Sequence, residues 1–251
     1  MVTIDGDEIV SGSTIDGDEI SQITMDGDVV WEAIDLPDSV VARYDATELE
    51  LNDGERVDVW PDEYGNFDLE DRSQDPRYRD SGINGNPSVE YGQTANDRNG
   101  YDGAAINLDP PYSLVWVAEI TGTRDDDDIS FFAEDGNDNY NLRIDDGNDN
   151  GFNPRMNGDS LGAPFNHDAV QQYLMVLVHY SNGDDFVRMN GTQESYSFPD
   201  VSVPNDYGLG GEGSSDRGME GYIGEFLLYD DALSSNEIAD EEDRLADKWG
   251  V

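Results

Sequence analysis

Four segments of the chain are rich in apolar and aromatic residues and have the length of buried or half-buried β-strands. They are residues 39–44, 113–120, 173–180 and 222–229, and clusters of Gly, Asn, Asp and Pro lie between them. From Ile34 onward such turn signals recur roughly every ten residues. The pattern therefore predicts many short strands joined by tight turns.

Only one segment has the pattern of a helix. Residues 234–237 read Ser-Ser-Asn-Glu, which is a capping box, and Ile238, Leu245 and Trp249 then fall on one helical face. Gly250 follows directly and predicts the end of the helix. Many strands with one terminal helix predict an all-β fold, a two-sheet antiparallel jelly-roll sandwich with a C-terminal helix.

A short repeat precedes the sandwich. IDGDEI stands at residues 4–9 and again at 15–20, and MDGDVV follows at 25–30. Asp-Gly between short β-prone segments predicts a two-residue hairpin turn. Hairpins this short need neighbours or other chains to cover their edges, so residues 1–33 are expected to serve attachment or oligomerisation, and residues 34–251 to form the sandwich. A solvated acidic tail is the alternative.

The net charge of the chain indicates the salt concentration in which the protein is stable. There are 58 acidic and 13 basic residues, a formal net charge of −45, and Lys248 is the only lysine. Such a chain repels itself in dilute buffer, whereas at molar salt the Debye length is about 3 Å and the repulsion is screened. With 36% hydrophobic and 10% aromatic residues a core is possible, so we expect a halophilic folded protein rather than a disordered one.

The sequence argues against several partners and cellular locations. Nucleic acid is excluded as a partner because no Lys/Arg cluster occurs, and the absence of cysteine excludes disulfides. The first residues lack the basic and apolar regions of a secretory signal, and the longest apolar run, 173–178, is far shorter than the roughly 18 residues of a membrane span. We expect no membrane anchor, with the protein made in a host cytoplasm and either retained there or released in a virus particle.

Four stretches in order resemble the concanavalin A-like or laminin-G-like jelly roll, as found in tail, spike or turret proteins of tailed viruses. They are ARYDA at 42–46 with NDGERVDVWPD at 52–62, NGNPSVEY at 84–91, strand 173–180 with FVRMNG at 186–191, and GYIGEFLLYDDALS at 221–234 followed by the helix. The resemblance implies the fold. It implies function only as a choice among lectins, glycan hydrolases, adhesion modules and structural pieces.

Catalytic motifs are missing. Hydrolases of this fold carry Glu-x-Asp-x-Glu or Glu-x-Asp-x-x-Glu on a strand, and the only Glu-x-Asp here, Glu241 to Asp243, lies in the predicted helix without the further Glu. The G-x-S-x-G at 158–162 lacks the strand and helix of a nucleophile elbow, and His179 ends an apolar strand as a packed residue would. We therefore expect no enzyme activity.

One loop has the start of a calcium-binding pattern. Asp146, Asn148 and Asn150 alternate and Gly151 follows, as in the first half of an EF-hand loop, but Asn157 stands where the bidentate carboxylate belongs. Two consecutive β-turns explain the same residues. Ca²⁺ is thus a candidate cofactor, bound by Asp146, Asn148 and Asn150.

A second motif also has two interpretations. Asn190-Gly191-Thr192 fits either a hairpin turn, which we favour, or a glycosylation site.

Candidate sugar-binding residues are aromatic side chains in polar loops. Tyr101, Tyr140 and Tyr207 stand among Asn, Asp and Gly residues and could stack on a sugar ring, or they could cover the core from strand ends.

Taken together, the sequence predicts a virion structural protein of a haloarchaeal virus, a tail fibre, spike or capsid turret. Its lectin-like head would bind host-surface glycan or glycoprotein, and its N-terminal segment would bind other virion proteins in a homotrimer or vertex ring. A purely structural decoration, and a cellular glycan-binding adhesin or glycan hydrolase, are the alternatives.

Overall fold

The computed structural model describes residues 36–251 except 65–66, 72–75, 93–100, 103–105, 107, 122–128, 135–139, 146–150, 158, 162–164, 167–171, 181, 205–206 and 212–218. Within residues 2–32 it describes the strand backbones. For some later strand residues, Tyr101 among them, it likewise describes the backbone alone. The chain divides into two compact units, Met1–Asp38 and Ser39–Val251.

The first unit contains three antiparallel hairpins, as the Asp-Gly repeat predicts. In each hairpin the paired strands are separated by two residues, because Ile4 pairs with Asp7, Ile15 with Asp18 and Met25 with Asp28. The six strands are β1 (Val2–Ile4), β2 (Asp7–Ile9), β3 (Thr14–Ile15), β4 (Asp18–Glu19), β5 (Gln22–Met25) and β6 (Asp28–Glu32). In the described backbone each hairpin forms its own two-stranded sheet.

The second unit is built almost entirely from strands. They are β7 (Val40–Asp45), β8 (Val59–Trp60), β9 (Leu69–Asp71), β10 (Arg77–Arg79), β11 (Ser88–Tyr91), β12 (Tyr101–Asp102), β13 (Tyr112–Ile120), β14 (Ile129–Glu134), β15 (Tyr140–Asp145), β16 (Gly151–Phe152), β17 (Arg155–Met156), β18 (Asp159–Ser160), β19 (Phe165–Asn166), β20 (Gln172–His179), β21 (Phe186–Met189), β22 (Thr192–Ser195), β23 (Tyr207–Leu209) and β24 (Gly221–Tyr229). The helix is α1 (Ser235–Trp249), and two short 3₁₀ turns occupy Ala46–Glu48 and Ile83–Gly85.

These strands form two antiparallel sheets. In the described residues the first sheet has the order β10-β11-β24-β13-β20-β21-β22, with β7 also paired to β24. The second has the order β18-β17-β15-β14-β23-β12-β9-β8, with β16 also paired to β15 and β19 paired to β16. All four strands that the apolar pattern predicts, β7, β13, β20 and β24, lie in the first sheet, so that prediction is confirmed.

Aromatic side chains fill the space between the two sheets. Trp116 of the first sheet lies 6.2 Å from Phe131 and 6.4 Å from Phe152 of the second, measured between ring centroids. Phe226 stacks on Phe132 at 5.4 Å in the same way. Contacts from both inner faces are what define a β-sandwich, so the predicted fold class is confirmed.

Helix α1 covers the face of the first sheet that points away from the second. Ser234 caps its N-terminus in the predicted capping box, and Gly250 ends it in the left-handed conformation at φ 68°. Its buried side chains include the predicted Ile238, Leu245 and Trp249. No helix in the described part of the chain is long and apolar enough to cross a membrane.

Two smaller predictions are also confirmed. Asn190 and Gly191 join β21 to β22 with positive φ of 48° and 75°, which is the two-residue hairpin turn that Asn-Gly favours. His179 is a packed residue, 1% exposed, with edge-to-face contacts to the rings of Tyr112 and Phe198.

Candidate functional site

The three candidate sugar-binding tyrosines have different positions from those expected of loop residues. Tyr140 begins β15 and is 3% exposed, and Tyr207 begins β23 and is 0% exposed. Their hydroxyls lie 3.0 Å from those of Tyr112 and Tyr44 respectively, inside the core. Neither ring has a face free for a sugar, which corrects their assignment to a binding rim. Tyr101 lies in β12, and its side chain is outside the described residues.

The candidate calcium ligands Asp146, Asn148 and Asn150 also lie outside the described residues. The residues on either side of their segment, Asp145 and Gly151, are paired across β15 and β16. Among the residues that the structure does describe, no group of three or more His, Asp or Glu side chains is placed to hold a metal ion.

The most extensive charged site in the described residues lies between the first sheet and α1. We call it the Arg43 cluster; its members are Arg43, Asp45, Glu63, Glu225, Glu241, Arg244 and Lys248. Arg43, only 4% exposed, donates to Glu225 at 2.8 Å, to Glu63 at 2.8 Å and to Asp45 at 2.6 Å. One guanidinium thus serves three carboxylates.

Glu225 is the centre of this cluster. Its side chain is 0% exposed, and one of its oxygens accepts a hydrogen bond from Arg43 and forms an ion pair with Arg244 at 2.9 Å. The other oxygen accepts from Lys248 at 3.0 Å and from the Trp249 indole at 3.2 Å. Burial by itself would raise the pKa of Glu225, but Arg43, Arg244 and Lys248 together lower it to about 2. The carboxylate is therefore charged and fully partnered.

The register of the strands explains why these residues meet. Arg43 and Asp45 are two residues apart on β7 and so share a face of the sheet. Asp45 pairs directly with Glu225 on β24. Arg244 and Lys248 are four residues apart and lie on one face of α1. Packing α1 on the sheet therefore brings two basic side chains onto two acidic ones.

Two carboxyls in the cluster have pKa values displaced in opposite directions, as in many acid–base pairs. Burial raises the pKa of Glu63 to about 7 although Arg43 opposes the change, whereas the pKa of Glu225 is about 2. Catalysis would need both groups to reach a substrate, yet Glu225 and Asp45 have side chains 0% and 1% exposed beneath α1. The arrangement fastens the helix to the sheet, and it approaches the surface at Glu63, with a side chain 27% exposed.

Sequence reasoning did not find this cluster. The available signal was a single acidic residue inside the apolar strand β24, Glu225, together with Arg244 and Lys248 spaced by four on the adjacent helix. In a chain with only 13 basic residues, two at helical spacing next to a buried strand indicate a structural ion pair.

The comparisons with known proteins concern the fold. No protein-family model matches the chain, and no curated protein sequence matches it. Among solved structures, domain 4 of an extracellular arabinanase from Geobacillus stearothermophilus, in complex with arabinotriose, has a TM-score of 0.53 at 15% identity, over 80% of this chain and 97% of that one.

Two other solved structures are similar over a large share of this chain. The binding domain of Paraclostridial Mosquitocidal Protein 1 has a TM-score of 0.58 at 13% identity, over 82% of this chain and 51% of that one. The Trypanosoma rangeli sialidase in complex with sialic acid has a TM-score of 0.52 at 15% identity, over 88% of this chain and 35% of that one. The chain thus spans about a third of the sialidase's length.

At this level of identity the comparisons define a class of fold. The second unit is a β-sandwich of the kind that these three structures contain.

Proposed function

We propose that this chain is a glycan-binding protein without catalytic activity, carried on the virion of a virus that infects halophilic archaea. The observation that carries the glycan-binding part is the similarity of the sandwich to almost the whole of an arabinanase domain bound to arabinotriose. By this proposal the sandwich is the head that binds host-surface glycan or glycoprotein.

The absence of catalysis is supported by the Arg43 cluster. It is the most extensive carboxylate group in the described part of the chain, and its central members Glu225 and Asp45 are sealed beneath α1. Most glycosidases use two carboxyls at an open cleft, separated by about 5 Å in retaining enzymes. Here the carboxyls serve packing instead.

The virion part of the proposal is supported by the first unit and by the charge. Two-stranded hairpins are marginal in isolation, so the three hairpins need protein neighbours to cover their edges. Other virion proteins, or copies of this chain in a trimer or vertex ring, would supply them. A net charge of −45 suits a protein exposed to molar salt.

The test is a glycan array with the full chain in molar salt, carrying envelope sugars of halophilic archaea, alongside mass spectrometry of purified virus particles. We expect saturable binding to a subset of sugars, sugars recovered uncleaved, and the chain in the particles. Cleaved sugars would contradict the non-catalytic assignment. Presence in particles without any sugar binding would favour a purely structural decoration.

A further inference from the structure

The turn formed by residues 61–64, directly after β8, presents an aromatic side chain to solvent. Tyr64 is 46% exposed, and among the described residues it shares this degree of exposure with one other large apolar side chain, Val59. Tyrosine offers a large, rigid and amphipathic surface at low cost in side-chain entropy. Its neighbour Glu63 belongs to the Arg43 cluster.

Hydrogen bonds hold this turn in place. Asp62, 4% exposed, accepts the backbone N–H of Arg43 at 2.9 Å and that of Tyr64 at 3.1 Å. The Asp62 N–H donates to Asp68 at 2.9 Å, and the Glu63 N–H donates to the Arg43 carbonyl at 2.9 Å. A turn fixed before the ligand arrives loses little conformational entropy on binding.

Glu63 supplies an acceptor in the neighbourhood of Tyr64, because its carboxylate interacts electrostatically with the Tyr64 hydroxyl. Its Oε2 accepts from Arg43 at 2.8 Å, and its Oε1 accepts no hydrogen bond within the described part of the chain. The side chain is 27% exposed, so a ligand hydroxyl can reach it. An aromatic face next to a partly desolvated acceptor is the combination that a sugar ring requires, since it has both C–H and hydroxyl groups.

We propose that Tyr64 and Glu63 form a glycan subsite and that its ligand is an uncharged or amino sugar rather than an acidic one. This inference rests on the proposed function. Six carboxylates act electrostatically on Glu63 or Tyr64, those of Asp45, Glu48, Asp62, Glu63, Glu225 and Glu241, against the cation Arg43. A sialic or uronic acid would bring a further carboxylate into contact with the partly buried Glu63, where salt screens charges much less than between exposed groups, and would be repelled.

The experiment measures binding of the full chain in molar salt to arabinotriose, mannotriose and chitotriose, with sialyllactose as the acidic probe. We expect an uncharged trisaccharide to bind more tightly than sialyllactose. Tyr64→Ala should weaken that binding by about tenfold or more, as should Glu63→Ala, whereas Tyr64→Phe retains the ring and should bind nearly as wild type. Val59→Ala, at an equally exposed position, is the matched control and should leave binding unchanged.

The outcomes separate the two proposals. If the wild-type chain binds a trisaccharide and Tyr64→Ala binds it equally well, the subsite is overturned while the glycan-binding function stands. Tighter binding of sialyllactose overturns the ligand class. If the wild-type chain binds none of the probes and no sugar on the array, the proposed function itself is overturned. Melting temperatures of all four variants, measured alongside, show whether each one is folded.

Discussion

Replacing Glu225 by Gln tests whether the Arg43 cluster holds α1 on the sheet. The amide keeps the size of the side chain but removes the charge that Arg43, Arg244 and Lys248 share. Breaking a buried ion pair by removing one partner costs about 3–5 kcal/mol. The pKa of Glu225 supports the lower end of this range, because lowering that pKa from 4.5 to about 2 corresponds to about 3 kcal/mol of stability at neutral pH.

A loss of this size is a large part of the 5–15 kcal/mol that typically stabilises a domain. The assay is urea unfolding at fixed molar salt, followed by the fluorescence of the buried Trp60, Trp116 and Trp249. Because the cluster is shielded from solvent, we expect the difference between variant and wild type to persist as the salt concentration is raised. Glu50→Gln, at an exposed position, is the control and should change stability by less than about 0.5 kcal/mol.

The same carboxylate has a predictable dependence on pH. Its folded pKa lies below the unfolded value, so its contribution to stability is present above pH 4.5 and is lost as the pH falls towards about 2. Glu225→Gln should therefore lose less stability than wild type over that range. A variant as stable as the Glu50→Gln control at neutral pH would refute the reasoning.

Three further predictions concern the rest of the sandwich. The melting temperature should rise steeply from low to molar salt because screening relieves the repulsion of a chain with net charge −45, and an unchanged value would count against this. Burial lowers the pKa of His179 although Asp185 opposes the change, so below pH 6.5 the unfolded chain takes up a proton that the folded chain does not, and the protein loses stability. His179→Phe should remove this loss. Parallel curves of stability against pH for variant and wild type would contradict the prediction. Gly224→Ala should lower the free energy of unfolding by about 1–3 kcal/mol, because the added Cβ would lie 2.7 Å from the Trp249 ring. In a double-mutant cycle Trp249→Phe should recover part of that loss, and additive effects of the two substitutions would exclude the clash.

The sequence was most informative where one principle determined the local structure. Strands β13, β20 and β24 are covered on both faces, so their continuous apolar runs are recognisable without any partner. The capping box from Ser234 to Glu237 similarly marked the start of α1. These signals are local, and for that reason the strands and the helix could be predicted.

The candidate site was predicted less well because its residues meet across long distances in sequence. Tyr140 and Tyr207 stand beside polar loop residues, and only the alternation with Leu142 and Leu209 indicates that they face inward. The Arg43–Glu225 contact joins residues that are 182 apart, and it depends on the pairing of β7 with β24. No local pattern contains that information.

The most direct test of glycan binding by the sandwich is isothermal titration of the full chain, in molar salt, with the sugar that binds best on the array. The expected result is a saturable heat with one site per chain and chemically unchanged sugar recovered afterwards. No measurable heat with that sugar, or recovery of cleaved sugar, would contradict it.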